Sequence, residues 1–193
     1  MIRLGHCHFY VAMKSILILN SHEQGNQKYP VILFGIQIVM GLLYANAAEW
    51  WVHKYILHGL GKNQGSFWAY HFHEHHSVCK RNNMFDPIYQ TLHLTTLNTQ
   101  SKELLVLMVI VLLHAPILLV FPLFAFSVYG SLGLYYYKHR KAHLDTEWAR
   151  RHLRWHYEHH LSGKHNANWC ITWPWFDYIM GTRIKSKALD GKG

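Results

Sequence analysis

The sequence predicts an all-α fold, an integral-membrane helical bundle carrying a histidine-rich helical cap on its cytoplasmic side. Three observations predict it. Long stretches carry almost no charge; histidine is in great excess, 18 in 193 residues; and the basic residues gather beside the histidines rather than in the apolar stretches. The chain is long enough for one domain with a core of its own and too short for two. Half its residues are apolar, yet mean hydropathy is near zero, so apolar blocks must alternate with very polar ones.

Residues 1–28 read as an N-terminal arm. Arg3, Lys14, Glu23 and Lys28 surround a short apolar run, Ile16 to Leu19, which lacks the long apolar core and small-residue cleavage site of a signal peptide. A membrane domain follows over 29–185, with a tail over 186–193. Val31 to Ala48 is uncharged and ends on Trp50 and Trp51, close to the length of a crossing with an aromatic belt. From Leu104 to Tyr137 the only acidic or basic side chain is His114, and Pro116 and Pro122 interrupt the run. Two halves of about 17 residues, each spanning ~25 Å, predict an antiparallel hairpin. Residues 53–103 and 138–193 then lie on one side of the membrane. They hold all but Arg3, Lys14 and Lys28 of the 19 Lys and Arg residues, which makes that side the cytoplasm. The net charge of +9 is thereby explained without nucleic acid, for which there is no recognisable motif. Cys7, Cys79 and Cys170 form no C-x-x-C pair, so neither a disulfide framework nor a thiolate zinc site is expected.

The histidines fall into four groups within those same-side segments. His53 and His58 are five apart, about 140° on a straight helix, which suits two different metals or a helix that ends between them. His71-Phe-His73-Glu-His75-His76 contains both i, i+4 (His71, His75) and i, i+3 (His73, His76) pairs on helical faces. His139 and His143 are again i, i+4. In His156-Tyr-Glu-His159-His160 the three imidazoles share one stripe. Imidazole suits Fe, Zn, Cu or Ni, and so many nitrogens without thiolates favour a late divalent metal over Mg or Ca. Ten or eleven ligands suit two ions. His6, His8, His22, His93, His114, His152 and His165 read as ordinary histidines, although His152 stands i, i+4 from His156. The tryptophans Trp50, Trp51, Trp169, Trp173 and Trp175 read as interface anchors and packing.

His-x4-His, a box ending His75-His76, His139-x3-His143 and His156-x2-His159-His160, in this order between membrane helices, resemble the fatty acid hydroxylase / sterol desaturase superfamily. Asn166-Ala-Asn168-Trp and Asp177-Tyr-Ile-Met-Gly181-Thr182 resemble the stretch after its last box, so the resemblance covers roughly residues 30–182. The family's second box is His-x2-His-His, whose first histidine would fall on Phe72; both His71 and His73 therefore stand as candidates, with His71 favoured by its i, i+4 spacing to His75. Within the boxes Glu74 and Glu158 are expected to accept hydrogen bonds from ligand imidazoles. Asn166 and Asn168 could do likewise or be turn residues, and Asp177 joins this supporting set.

The resemblance implies two iron ions, dioxygen, and hydroxylation of a lipid C–H bond, fatty acyl, sphingolipid or sterol-like; desaturation on the same site is the alternative outcome. Zinc can replace iron in purified protein. Electrons derived from NAD(P)H are expected from a separate donor, cytochrome b5-like or a ferredoxin, since the chain carries no His-Pro-Gly-Gly or Gly-x-Gly-x-x-Gly motif. Lys80, Arg81, Arg150, Arg151 and Arg154 could meet such an acidic donor or lipid headgroups. A metal-transport protein is the alternative of a different class. It would place ionisable ligands near the bilayer midplane, where only His114 lies.

Overall fold

A computed structural model describes residues 28–92, 95–163 and 166–189. All regular structure among the described residues is helical. The arm expected over 1–28 lies almost wholly outside them. The chain divides into two compact units, Met1–Ile36 and Gln37–Gly193. The described part of the first is the opening of helix α1 (Lys28–Trp51), where Val31, Ile32, Leu33 and Phe34 are all exposed. The remaining elements belong to the second unit.

After α1 the chain runs on through a π-helical turn, Val52–Leu57, and a 3-10 turn, Leu60–Lys62. A second π-helical turn, Tyr70–His75, leads into α2 (His76–Arg81). Helix α3 (Thr99–His114) starts at Asn98, whose side-chain oxygen accepts from the Ser101 amide at 2.8 Å, a standard N-cap. It tightens into a 3-10 turn, Ala115–Leu119, and Pro122 opens α4 (Pro122–Leu144) at the position where a missing N–H does no harm. Short helices α5 (Thr146–His152), α6 (Arg154–Leu161) and α7 (Trp175–Ile179) complete the cap.

Two stretches, Val31–Lys62 and Thr99–Leu119, are long and apolar enough to cross a membrane, and the rest of the chain covers little of either. Helices this apolar and this bare are at home in hydrocarbon, where the backbone satisfies itself and the side chains need no partner. Helices α3 and α4 pair as the two arms of the expected hairpin, with the Tyr129 hydroxyl on α4 donating to the Val111 carbonyl on α3 at 3.2 Å, but only the α3 arm is among the stretches apolar enough to cross. The arms are also unequal. α3 begins before Leu104, with Thr99, Gln100, Ser101 and Glu103 buried. α4 continues past Tyr137 and carries His139, Ala142 and His143 into the cap, also buried. The polar ends remain helical because their side chains find partners inside the cap rather than water.

The aliphatic core is small. Met84, Ala142, Ala149, Leu153, Tyr157, Ile171 and Leu189 form one cluster, and Trp50, Trp169 and Cys170 another. Trp50 and Trp169 are thus packed inside, whereas Trp51 is exposed. The segment 168–176 is fastened to α1 by two polar side chains. Asn46 donates to the Trp173 carbonyl at 2.8 Å and accepts from the Phe176 amide at 3.1 Å, while the Glu49 carboxylate accepts from the Ile171 and Thr172 amides.

Gly41 marks a close approach of α1 to α4: a Cβ there would lie 2.7 Å from the Phe124 carbonyl oxygen and from Ser127 Cβ. The absence of a Cβ is what lets two helix backbones come this close. Gly41→Ala should therefore cost about 1–3 kcal/mol, read by thermal unfolding in detergent, whereas Gly133→Ala, whose Cβ would meet nothing within 4 Å, should be neutral or mildly stabilising. Equal stability of both variants would rule out this packing.

Candidate metal centre

Ten of the eleven candidate ligand histidines are buried together in the cap: His53, His58, His71, His75, His76, His139, His143, His156, His159 and His160. They sort into two adjacent clusters. In the first, ligand nitrogens of His53, His58, His71, His76 and His159 all lie within 4.8 Å of one another; in the second the same holds for His75, His139, His143 and His160. His156 stands beside the second, its Nε2 3.2 Å from Nε2 of His143. The clusters touch through His76 and His160, whose rings stack with centroids 4.2 Å apart.

The first cluster depends on the two π-helical turns. A π turn closes its hydrogen bond from residue i to i+5, and here His58 N–H donates to the His53 carbonyl at 3.0 Å while His76 N–H caps back to the His71 carbonyl. Residues five apart thereby come onto one face. His53 and His58, which a straight α-helix would separate toward two metals, share one cluster, and His71 joins His76 rather than His75. The Nε2 atoms of His53 and His71 are 3.0 Å apart, as are those of His58 and His76, and His159 Nε2 completes the group 3.1 Å from His58 Nε2. On regular helix α4, His139 and His143 stay together in the second cluster. On α6 the stripe divides: His159 faces the first cluster, and His156 and His160 face the second.

The outward nitrogens of these rings are held by fixed acceptors. Nδ1 of His53 lies 2.5 Å from the Trp169 carbonyl, Nδ1 of His159 2.7 Å from that of Ala167, and Nδ1 of His143 2.9 Å from that of Met84. A carbonyl can only accept, so each Nδ1 carries the proton and each Nε2 presents a lone pair inward. The carboxylates of Glu103 and Asp86 play the same part for His139 (2.6 Å) and His75 (2.9 Å). This arrangement orients imidazoles for a metal.

Lone pairs converging at these distances repel one another unless a cation or proton lies between them. Among the described residues, Nε2 of His139 and both ring nitrogens of His160 are buried with no hydrogen-bond partner. A neutral imidazole brings one N–H, and a ring free to carry it on Nε2, as His71 facing His53 or His156 facing His143, can donate to a bare neighbour, but second protons are not available to the rest. Burial, reinforced by neighbouring imidazoles, holds His71, His76, His143, His156 and His160 well below the usual imidazole range, and burial lowers His75 too. Neutral, buried imidazoles with unused lone pairs fit late divalent metal ions. Cys79 lies 3.4 Å from His143 Nδ1, on the side of that ring turned away from the cluster toward the Met84 carbonyl, and burial pushes its thiol up. Asp86 is already engaged with His75 and the Ile88 amide, so the nearby group of His75, Cys79 and Asp86 orients a ring and is not a third site.

His73 is not brought in. It points away from both clusters, with Nε2 2.9 Å from the Lys62 carbonyl, so the geometry favours His71 of the two candidates. The expected supporting residues also fall differently. Glu74 is exposed and accepts from Thr99 Oγ1 at 3.3 Å. Glu158 is buried but binds Arg183 (2.6 Å), Arg154 (3.1 Å) and the Ser186 amide (3.1 Å) rather than an imidazole. Asn166 is exposed. Asn168 is the turn residue: at φ 60°, a conformation Asn tolerates, it separates the Ala167 and Trp169 carbonyls that hold His159 and His53, and its side chain clasps Ile184 at both amide and carbonyl, each at 2.9 Å. Asp177 acts one step removed, accepting from the Trp169 and Cys170 amides at 2.9 Å.

The carboxylates that do touch imidazoles, Glu103 and Asp86, were not among the sequence candidates. Glu103 offered a signal, an acid immediately before the apolar run at Leu104, and Asp86 is the sole acid between Glu74 and Glu103. Tyr89 completes this pair's surroundings, its hydroxyl donating to Glu103 at 2.7 Å. Of the histidines read as ordinary, His152 is exposed, with Nδ1 3.2 Å from the Trp148 carbonyl; His6, His8, His22, His93 and His165 lie outside the described residues.

A family model for fatty acid hydroxylases matches residues 38–182. No curated protein and no solved structure matches the chain.

Metal-free protein should be acid-labile. The folded values of these histidines lie below the 6.5 of a free imidazole, so below about pH 6.5 the unfolded chain takes up protons that the folded chain refuses. Stability is then complete above that pH and falls as pH drops, by up to ~1.4 kcal/mol per pH unit for each such histidine. Denaturation midpoints of metal-stripped protein at pH 7.5 and 5.5 measure this; a flat profile would mean that the rings are not held neutral.

Proposed function

The chain belongs to the fatty acid hydroxylase family, and from that premise we propose that it is a membrane oxidoreductase that hydroxylates a lipid at a two-metal centre. The observation that carries the proposal is the convergence of ten imidazoles into two adjacent clusters at the end of an apolar cleft. That cleft, with about 750 Å³ of atom-free space including its open mouth, runs between α1, α3 and α4 and reaches His53 and Glu103. An acyl chain or other lipid could enter it from the bilayer and bring an unactivated C–H bond beside the first cluster.

In this reading His53, His58, His71, His76 and His159 hold one ion and His75, His139, His143, His156 and His160 the other. Two iron ions, when bound, would supply dioxygen activation and hydrogen abstraction; the protein supplies position, a dry site and fixed ligands. The Trp169, Ala167 and Met84 carbonyls and the Glu103 and Asp86 carboxylates keep each proton on Nδ1. Val52, Leu57 and Val106 on the cleft wall exclude water, which would compete with the substrate. Loss of a second hydrogen in place of hydroxyl return would give an alkene, so desaturation uses the same residues. Buried chelation by five imidazoles at each ion suits a retained cofactor rather than a transported ion.

Electrons would come from a separate donor, cytochrome b5-like or a ferredoxin, fed by NAD(P)H, with the cap on the cytoplasmic side. Lys80 and Arg81 are exposed and suit an acidic donor. Arg150 and Arg151 are less available than the sequence suggests, because both engage Glu147, at 2.7 and 2.6 Å.

Protein purified from iron-supplemented cells should hold about two metals per chain. His58→Ala with His76→Ala, or separately His139→Ala with His143→Ala, should reduce this to about one, and each pair should abolish oxidised lipid in expressing cells. Full metal content in both paired variants, or oxidised lipid from either, would sink the assignment.

A further inference from the structure

Helix α3 carries one feature that the metal clusters leave unused. His114, half-buried, sits in the apolar run far from the clustered imidazoles, where a polar side chain is costly without a purpose. Its Nδ1 lies 2.8 Å from the Ile110 carbonyl and so donates, which leaves Nε2 to accept from the Tyr44 hydroxyl on α1 at 3.0 Å. The tyrosine's hydrogen is thereby fixed toward His114, while its oxygen keeps acceptor capacity.

Both residues line the cleft that reaches His53 and Glu103. From Tyr44 to His53 along α1 is about 14 Å, and from Glu103 to His114 along α3 about 17 Å, at 1.5 Å per residue. The pair therefore stands at the end of the cleft remote from the metals. The wall between is mainly aliphatic, with Ala48, Val106, Ile110 and Leu132 beside Tyr135; of the polar groups also in the lining, the Ser131 hydroxyl is spent on the Ser127 carbonyl at 2.8 Å and Glu49 accepts from the Ile171 and Thr172 amides. A cleft meant for hydrocarbon alone would close on hydrocarbon. This one has at its far end Tyr44, 43% exposed, whose hydroxyl hydrogen a histidine holds aside.

We propose that Tyr44, oriented by His114, accepts a hydrogen bond from a hydroxyl on the substrate, and so selects lipids that carry an alcohol roughly 15 Å from the carbon presented to the metals. The proposal deepens the lipid-oxidation reading and rests on it. Tyr44 would be a specificity residue and His114 the residue that positions it.

The test reads binding without turnover, using the zinc-loaded full chain in detergent with two probes, dodecan-1-ol and its methyl ether, which has no hydrogen to donate. Ligand-induced shifts in unfolding temperature give the two affinities. The wild-type chain should bind the alcohol about three- to tenfold more tightly than the ether, the worth of one hydrogen bond in this setting. Tyr44→Phe should erase that preference while zinc content stays unchanged. His114→Leu, which frees the tyrosine hydroxyl to donate to the ether, should also erase it, and serves if Tyr44→Phe folds poorly. Equal binding of both probes by the wild type, no binding of either, or a preference that survives both substitutions would overturn the proposal. Because no oxidation is needed, absence of oxidised lipid in cells would count against the enzymatic reading alone.

Discussion

Imidazole rings whose bare nitrogens face one another at about 3 Å cannot be stacked into a core as leucines are. One N–H per neutral ring can bridge some of these contacts, but a ring already spending its N–H on Nδ1 presents a bare Nε2, and removal from water withdraws the solvent that would otherwise satisfy it. The cap nevertheless buries ten such rings, while its aliphatic core amounts to a handful of residues around Leu153 and Ile171. The stability of this half of the molecule thus depends on what lies between the rings. Metal ions between the rings would use these lone pairs as ligands, and their binding free energy would then become folding free energy.

Much of the surrounding structure serves to hold the rings in that unfavourable arrangement. The π turns at Val52–Leu57 and Tyr70–His75 bring histidines five apart onto one cluster. Asn46 and Glu49 pin the 168–176 segment to α1, Asp177 gathers the Trp169 and Cys170 amides, and Asn168 turns the chain so that successive carbonyls on either side of it meet His159 and His53. These contacts are local and individually modest. Their joint effect is a set of ligands already oriented before any ion arrives, the condition for tight binding and for chemistry that does not wait on rearrangement.

The apolar helices were legible in the sequence because length and absence of charge suffice to identify them, and the histidine groups because their order and spacing are distinctive. The allocation of ligands was not. At 100° per residue His53 and His58 suit either two different metals or a helix that ends between them, and nothing in His-Lys-Tyr-Ile-Leu-His announces the π turn that brings them together. Glu74 and Glu158 drew attention by lying inside the boxes, yet sequence proximity puts a carboxylate on the wrong side of a helix as readily as the right one. Glu103 reaches His139 across 36 positions and Asp86 reaches His75 across 11, contacts that only the folded chain creates.

The central claim is that both metal positions are built from imidazole alone, with Cys79 and the neighbouring carboxylates excluded from the ligand shell. X-ray absorption at the zinc edge of fully loaded protein tests it most directly. The account predicts nitrogen scatterers at ~2.0–2.1 Å with the outer-shell pattern of several imidazoles and no sulfur contribution. A sulfur scatterer at ~2.3 Å, or a shell dominated by oxygen, would contradict it.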